Sequence, residues 1–235
     1  MTDRAQGARL AGLAALLADP TRATFCLLLL DGRAWTAGEL ARRAAVAPST
    51  ASGHLDRLVA SGLCAQERQG RHRYVRLADR RAAALIEDLA GHLPPAPAAT
   101  GLRAATASAA LARGRTCYDH LAGRLGVAVT DAMLARGYIE GGFTLSTKGA
   151  EWMDTVLGAG PDSWPRSRRP AARACLDWTE RRPHLAGRAG AEVCRAFLDL
   201  AWIRRVGTGR AVRLTADGVT ALGAHLGIED ADALA

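Results

Sequence analysis

TAGELARRAAVAPSTASGHLDRLVASGLCAQERQGRHRYVRL, residues 36–77, reads as a helix, a tight turn, a second helix and a two-stranded hairpin. Thr36-Ala-Gly-Glu39 is a capping box, in which the threonine hydroxyl takes a backbone N–H at the helix start and Glu39 reaches back to Thr36. Leu40, Ala41 and Ala44 give that helix an inward stripe, and Ala45-Val46-Ala47 makes the turn. Pro48 opens the second helix at the first position, where its missing N–H costs nothing. Ala51, Leu55, Leu58, Val59 and Gly62 then recur at spacings of three and four and form one buried face. The opposite face carries Ser49, Thr50, Gly53, His54 and Arg57, short polar groups with a longer basic residue one turn on. That pattern suits a helix lying in a major groove.

Leu63 to Arg68 and His72 to Leu77 predict strands around Gln69-Gly70, with Arg68, Arg71, His72 and Arg73 crowding the tip. A basic ribbon beside a groove-facing helix is placed for phosphate contacts. In isolation such an arginine run is as well explained by a solvated face; its position after a helix-turn-helix favours nucleic acid. The expected double-stranded DNA contacts are therefore Thr36, Ser49, Thr50, Ser52, Gly53, His54, Arg57, Arg68, Arg71, His72 and Arg73.

Outward from this stretch, leucines at 10, 13, 16 and 17 predict an amphipathic helix over 9–18. Asp19-Pro20 starts the next helix and Asp31-Gly32 ends it. After the hairpin, 79–91 is helical again. Helices flanking a winged unit commonly pair two copies, and two-fold symmetry then predicts a pseudo-palindromic operator.

Charge does not locate the DNA face. The net +8 is spread evenly, with 13 basic and 9 acidic residues in 1–92 and 18 and 14 in 93–235. The N-terminus has no apolar signal core and the longest dense apolar run, Phe25 to Leu30, is too short to span a bilayer, so a cytoplasmic protein without a membrane partner is expected. Five scattered cysteines, an odd number, fit reduced thiols better than a disulfide framework.

Leu17-Ala-Asp-Pro-Thr-Arg22, Leu30-Asp-Gly32, Glu39-Leu-Ala41, Ser49-Thr-Ala-Ser-Gly-His-Leu55, Leu58, Gly62-Leu63, Gly70-Arg71 and Tyr74 together resemble the ArsR/SmtB family of bacterial repressors over residues 8–92. Within that family the chain is most similar to the cadmium- and lead-sensing branch. The resemblance implies a homodimer that represses transcription and leaves its operator when an effector binds. The family's metal positions do not carry over: the first helix of the motif has no cysteine pair, Arg57 and Ser61 stand where the cadmium branch has thiols, and 79–92 offers only Asp79 and His92.

Leu93-Pro-Pro-Ala-Pro-Ala-Ala-Thr100 is an extended linker between a domain at 1–92 and a module at 101–235. That module repeats internally: His120-Leu-Ala-Gly-Arg124 recurs as His184-Leu-Ala-Gly-Arg188, and residues 120–139 and 184–203 share 10 of 20 positions. Each copy predicts a helix, a hairpin and a capped helix, over about 115–158 and 175–228. The fold class is thus mainly α with small β-hairpin wings: an N-terminal winged helix-turn-helix followed by a pair of degenerate winged-helix repeats. The repeats' leading helices carry few groove-reading groups, though Arg204, Arg205, Arg210 and Arg213 leave an auxiliary phosphate contact open.

Each copy is preceded by a cysteine and an aspartate: Cys117-Tyr-Asp119-His120, and Cys175-Leu-Asp177-Trp178 with His184 beyond. These are metal-ligand types, and Cys117, Asp119, His120, Cys175, Asp177 and His184 are the candidate effector site for a divalent metal. A thiolate made reactive by an imidazolium is a second reading and a small-molecule pocket a third. The plainer alternative is a helix-start histidine beside small core cysteines. A Gly-rich phosphate loop, G-x-S-x-G and H-E-x-x-H are all missing, so an enzyme is not expected. The alternative to a DNA-binding regulator is a winged-helix scaffold for protein interaction.

Overall fold

The computed structural model describes residues 3–70, 72–94, 102–207 and 209–234. Arg71 and residues 95–100 of the expected linker lie outside the described residues. The chain divides into two units, Met1–Ile86 and Glu87–Ala235. The division falls inside a helix, Arg80–Gly91, earlier than the boundary expected at 92.

The first unit begins with α1 (Asp3–Leu17) and α2 (Pro20–Leu29). Asp19 caps α2 by accepting from Arg22 N at 2.9 Å. The Arg22 guanidinium turns onto the carbonyls of Ala15 and Leu16, satisfying acceptors that the end of α1 leaves open. Next come β1 (Trp35–Thr36), α3 (Ala37–Arg43), α4 (Pro48–Ala60), β2 (Cys64–Gln69), β3 (His72–Leu77) and α5 (Arg80–Gly91). This is a winged helix-turn-helix: α3 and α4 form the motif and β2–β3 the wing. The capping box forms as expected, with Glu39 Oε2 accepting from both the Thr36 N–H and its hydroxyl. A third strand joins the wing, because β1 pairs with β3 and sets Trp35 opposite Val75.

Phe25, Leu29, Leu40, Leu55, Leu58 and Val75 are fully buried and clamp α2, α3, α4 and the sheet together. The buried face of α4 is narrower than expected. Ala51, Leu55 and Leu58 are inside, Val59 is half-buried, and Gly62 is exposed at φ +78°, turning the chain after the helix.

In the second unit α6 (Leu102–Arg113) precedes two copies of one element order. The first copy is β4 (Arg115–Cys117), β5 (His120–Ala122), α7 (Gly123–Ala135), β6 (Ile139–Glu140), β7 (Thr144–Leu145) and α8 (Thr147–Leu157). The second is β8 (Arg173–Leu176), β9 (Pro183–Ala186), α9 (Gly187–Asp199), β10 (Ile203–Arg205), β11 (Val212–Leu214) and α10 (Ala216–Leu226). Matching details mark the duplication. Ser146 and Thr215 cap α8 and α10 by accepting from Gly149 N and Gly218 N. A Cβ at either glycine would lie about 2 Å from a carbonyl oxygen, 2.1 Å from Tyr138 O or 2.0 Å from Trp202 O, which excludes any side chain.

Each copy therefore contains the expected helix, hairpin and helix, but opens with a further hairpin that the sequence reading missed. One helix, not two, stands between the hairpins, so neither copy contains a helix-turn-helix. The copies share a core in which Leu125, Met133, Ile139 and Met153 meet Phe197, Ile203, Leu214 and Leu222.

A buried carboxylate joins them. Asp177 accepts from Arg115 Nη2 at 2.9 Å on both oxygens, from Gly123 N at 2.6 Å, and from the N–H and hydroxyl of Thr179 and the N–H of Glu180. Arg115 and Asp177 are both fully buried, and the guanidinium also stacks over Trp178 at 4.6 Å. Removing one partner strands the other charge in the interior.

Two outcomes follow from these contacts. Thr36→Ala removes a cap and costs about 1 kcal/mol in chemical unfolding while leaving DNA affinity unchanged; lost affinity with unchanged stability would restore Thr36 to the contact surface. Asp177→Ala costs about 3–5 kcal/mol in unfolding of the full chain, and a loss below about 1 kcal/mol would contradict the buried lock.

Candidate nucleic-acid interface and a buried cysteine–histidine centre

On α4 the expected reading face is outward. Ser49, Thr50, Gly53 and Arg57 are exposed and Ser52 is half-buried. Nothing lies within 4 Å of where a Cβ on Gly53 would stand, so the backbone there is open to close approach. No side chain caps the start of α4, which leaves its first N–H groups directed outward.

Three expected contacts are engaged inside the protein. Thr36 is held in its capping box. His54 turns back to the start of α2, its Nδ1 3.5 Å from Asp19 Oδ1 and 3.4 Å from Arg22 Nη1, and its side chain is only 17 % exposed. It acts as a brace between α2 and α4, which corrects its expected role as a base reader. Arg73 donates to Asp56 Oδ1 at 2.7 Å, which ties the wing to α4 and neutralises part of the charge expected for phosphate. Arg68 and His72 are exposed on the wing, with Arg68 facing Arg73 across the strands. In the second unit Arg204, Arg205 and Arg213 are exposed on β10–β11.

The second unit brings four of the six expected effector residues together. Cys117 faces His120 across the β4–β5 hairpin, and Cys175 faces His184 across β8–β9. The two hairpins meet so that one ligand atom from each of these residues lies within 4.8 Å of the others, all four side chains buried. His120 Nε2 and His184 Nε2 are 3.2 Å apart.

Asp119 and Asp177 stand behind the histidines and do not join the cluster, which corrects their expected role as ligands. Asp119 Oδ1 lies 3.3 Å from His120 Nδ1, and both its oxygens accept from Arg169. Asp177 Oδ2 lies 3.3 Å from His184 Nδ1, without hydrogen-bond alignment, while Arg115, Gly123, Thr179 and Glu180 occupy its oxygens. Each aspartate thus backs the Nδ1 side of a ring whose Nε2 points to the centre.

The electrostatics follow from this packing. Burial opposes the Asp119 carboxylate, but His120 and Arg169 outweigh it and hold its pKa below the usual range. Burial also opposes protonated His120, yet Asp119 and Cys175 raise it to about 9. The neighbouring Cys117 thiol, against the cost of burial and with His120 and His184, pulls Cys175 down to about 2. Burial and the contact with Cys175 push Cys117 up. The contact between the two sulfurs thus favours the charged form at Cys175 over Cys117.

Glu87, on α5, was missed by the sequence reading. It is 5 % exposed, its Oε2 lies 3.8 Å from Cys175 Sγ, and its Oε1 has no hydrogen-bond partner among the described residues. Burial raises its pKa. The available signal was its place among Ala83, Ile86 and Ala90, an acid on an apolar face.

A helix-turn-helix domain model, HTH_20, matches residues 17–66. The "Uncharacterized HTH-type transcriptional regulator YdfF" of Bacillus subtilis (strain 168) is 39 % identical over 223 residues, covering 94 % of this chain and 98 % of that protein, so the likeness runs through both units. Among solved structures, the homodimeric winged helix-turn-helix DNA-binding domain of Mb0332 from Mycobacterium bovis, described as a possible ArsR-family transcriptional regulator, is 28 % identical over 37 % of this chain and 81 % of that one, with a TM-score of 0.33. A predicted DNA-binding transcriptional regulator from E. coli is also 28 % identical, covering 37 % of this chain and 90 % of its own, with a TM-score of 0.33. With a relative this similar along nearly its whole length, the chain belongs to the helix-turn-helix transcriptional regulators, and its first unit is a winged helix-turn-helix.

Proposed function

We propose that the protein is a dimeric, cytoplasmic repressor that holds a pseudo-palindromic operator and releases it when an effector reaches the cysteine–histidine centre. The observation that carries the DNA reading is the two-sidedness of α4. Ala51, Leu55 and Leu58 fix one face in the core, so Ser49, Thr50, Gly53 and Arg57 face solvent as a set. Arg57 reads a base edge, Ser49, Thr50 and Ser52 take phosphates or bases, and Arg68 and His72 on the wing follow the backbone.

Homodimerisation is supported by α1. None of its residues is buried within one chain and Leu10 is 69 % exposed, a surface suited to a second copy. Two copies of α4 related by a two-fold axis then meet half-sites about one helical turn apart. No single described helix is long and apolar enough to cross a membrane.

The effector class is a thiol-seeking metal ion, an oxidant or a small molecule, each able to act at Cys117, His120, Cys175 and His184. A nuclease footprint upstream of the protein's own gene, repeated with Arg57→Ala and Arg68→Ala, tests the DNA reading. Arg57→Ala relaxes preference at one position, costing about 1–3 kcal/mol there. Arg68→Ala weakens operator and random DNA alike and lowers the salt slope by about 1. Equal losses on both DNAs for both variants would contradict the assignment of roles, and a missing footprint would overturn the DNA reading itself.

A further inference from the structure

We propose that Cys117, His120, Cys175 and His184 form a closed, four-coordinate site for a zinc-class divalent ion, and that Asp119, Asp177 and Glu87 form its outer shell. The donor set is two sulfurs and two imidazole nitrogens, which suits Zn²⁺ and its softer competitor Cd²⁺ and excludes Mg²⁺ and Ca²⁺, which take oxygen.

The geometry fits without rearrangement of the histidines. Two Zn–N bonds of about 2.0–2.1 Å at a tetrahedral angle place their nitrogens about 3.3 Å apart. His120 Nε2 and His184 Nε2 stand 3.2 Å apart. All four donor atoms fall within 4.8 Å of one another, and a shift of the sulfurs of about 1 Å or less closes them to the ~3.8 Å longest edge of such a polyhedron. A carboxylate lies 3.3 Å behind each Nδ1, hydrogen-bonded at His120 and unaligned at His184, where outer-shell partners of metal-bound histidine usually stand, and both Nε2 atoms turn to the centre. Glu87 supplies the second, independent pointer, a buried acid beside Cys175 with an oxygen that no described residue satisfies.

Each copy of the repeat supplies one cysteine and one histidine, so the ion clasps the two copies and neither copy alone makes the site. Four protein ligands leave no position for substrate, which makes the site one for sensing or structure and not for catalysis. The inference deepens the effector reading, and rests on it only for the consequence at DNA.

The test uses the reduced, metal-free full chain, titrated with Cd²⁺ and with Co²⁺ as spectroscopic probe, alongside fluorescence anisotropy on operator DNA. The wild type takes up one equivalent of Co²⁺ with tetrahedral d–d bands and thiolate charge transfer, Zn²⁺ displaces it, and Cys117→Ser with Cys175→Ser loses the charge-transfer band. Asp119→Asn, which keeps all four ligands, weakens binding by about 10–100-fold with folding unchanged by circular dichroism. Absence of a stoichiometric site in the wild type, the same band in the double cysteine variant, or a Cys117–Cys175 disulfide forming in place of metal uptake would overturn the proposal. Uptake without any change in operator affinity would leave the metal site standing and remove its role as effector.

Discussion

Asp177 carries a full negative charge into the interior of the second unit, and that position is tenable only because two copies of one repeat converge on it. Arg115 and the Gly123 N–H come from the first copy, and Thr179, Glu180 and His184 from the second. A lone carboxylate there would cost several kcal/mol, so the lock forms only when the copies are docked in this register. With β4–β5 and β8–β9 held together in this way, their cross-strand Cys/His pairs are brought face to face. The duplication is not symmetrical in detail. Asp119, the counterpart behind His120, is 23 % exposed and clamped by Arg169, whereas Asp177 is sealed.

The winged domain depends on a simpler constraint. Apolar residues at spacings of three and four leave α4 one way to pack against α2, and the polar residues between them then have only the outside. Two charged contacts refine the arrangement: His54 braces α4 to the start of α2, and Arg73 ties the wing to Asp56 of α4. Both help to set the angle between helix and ribbon, which decides whether one duplex can meet both.

Much of the first unit was legible in the chain because its signals are local. A capping box, a proline at the first helical position and a glycine in a hairpin each act within a few residues. The roles of Thr36, His54 and Arg73 were harder to see, since a polar residue on the open side of a helix or strand looks the same whether it faces solvent or a neighbouring element. In the second unit the internal repeat was visible as identities, but its leading hairpins were not. Their strands are three or four residues long, too short for an alternation to register, and the second carries a longer loop, so Cys117 and Cys175 are offset differently from their histidines. Six residues of the candidate centre were named from residue type alone. Tertiary packing separated four inner donors from two outer carboxylates and added Glu87, which lies 30 residues before Cys117 in the chain.

Sequence duplication, the buried ion pair and the paired hairpins all lead to one claim, that two sulfurs and two nitrogens meet around a single point. X-ray absorption at the zinc edge of the loaded full-length protein measures that point directly. The expected first shell is two sulfur atoms at about 2.3 Å and two nitrogen atoms at about 2.0 Å. A shell made only of oxygen and nitrogen, or one of four sulfurs, would contradict it.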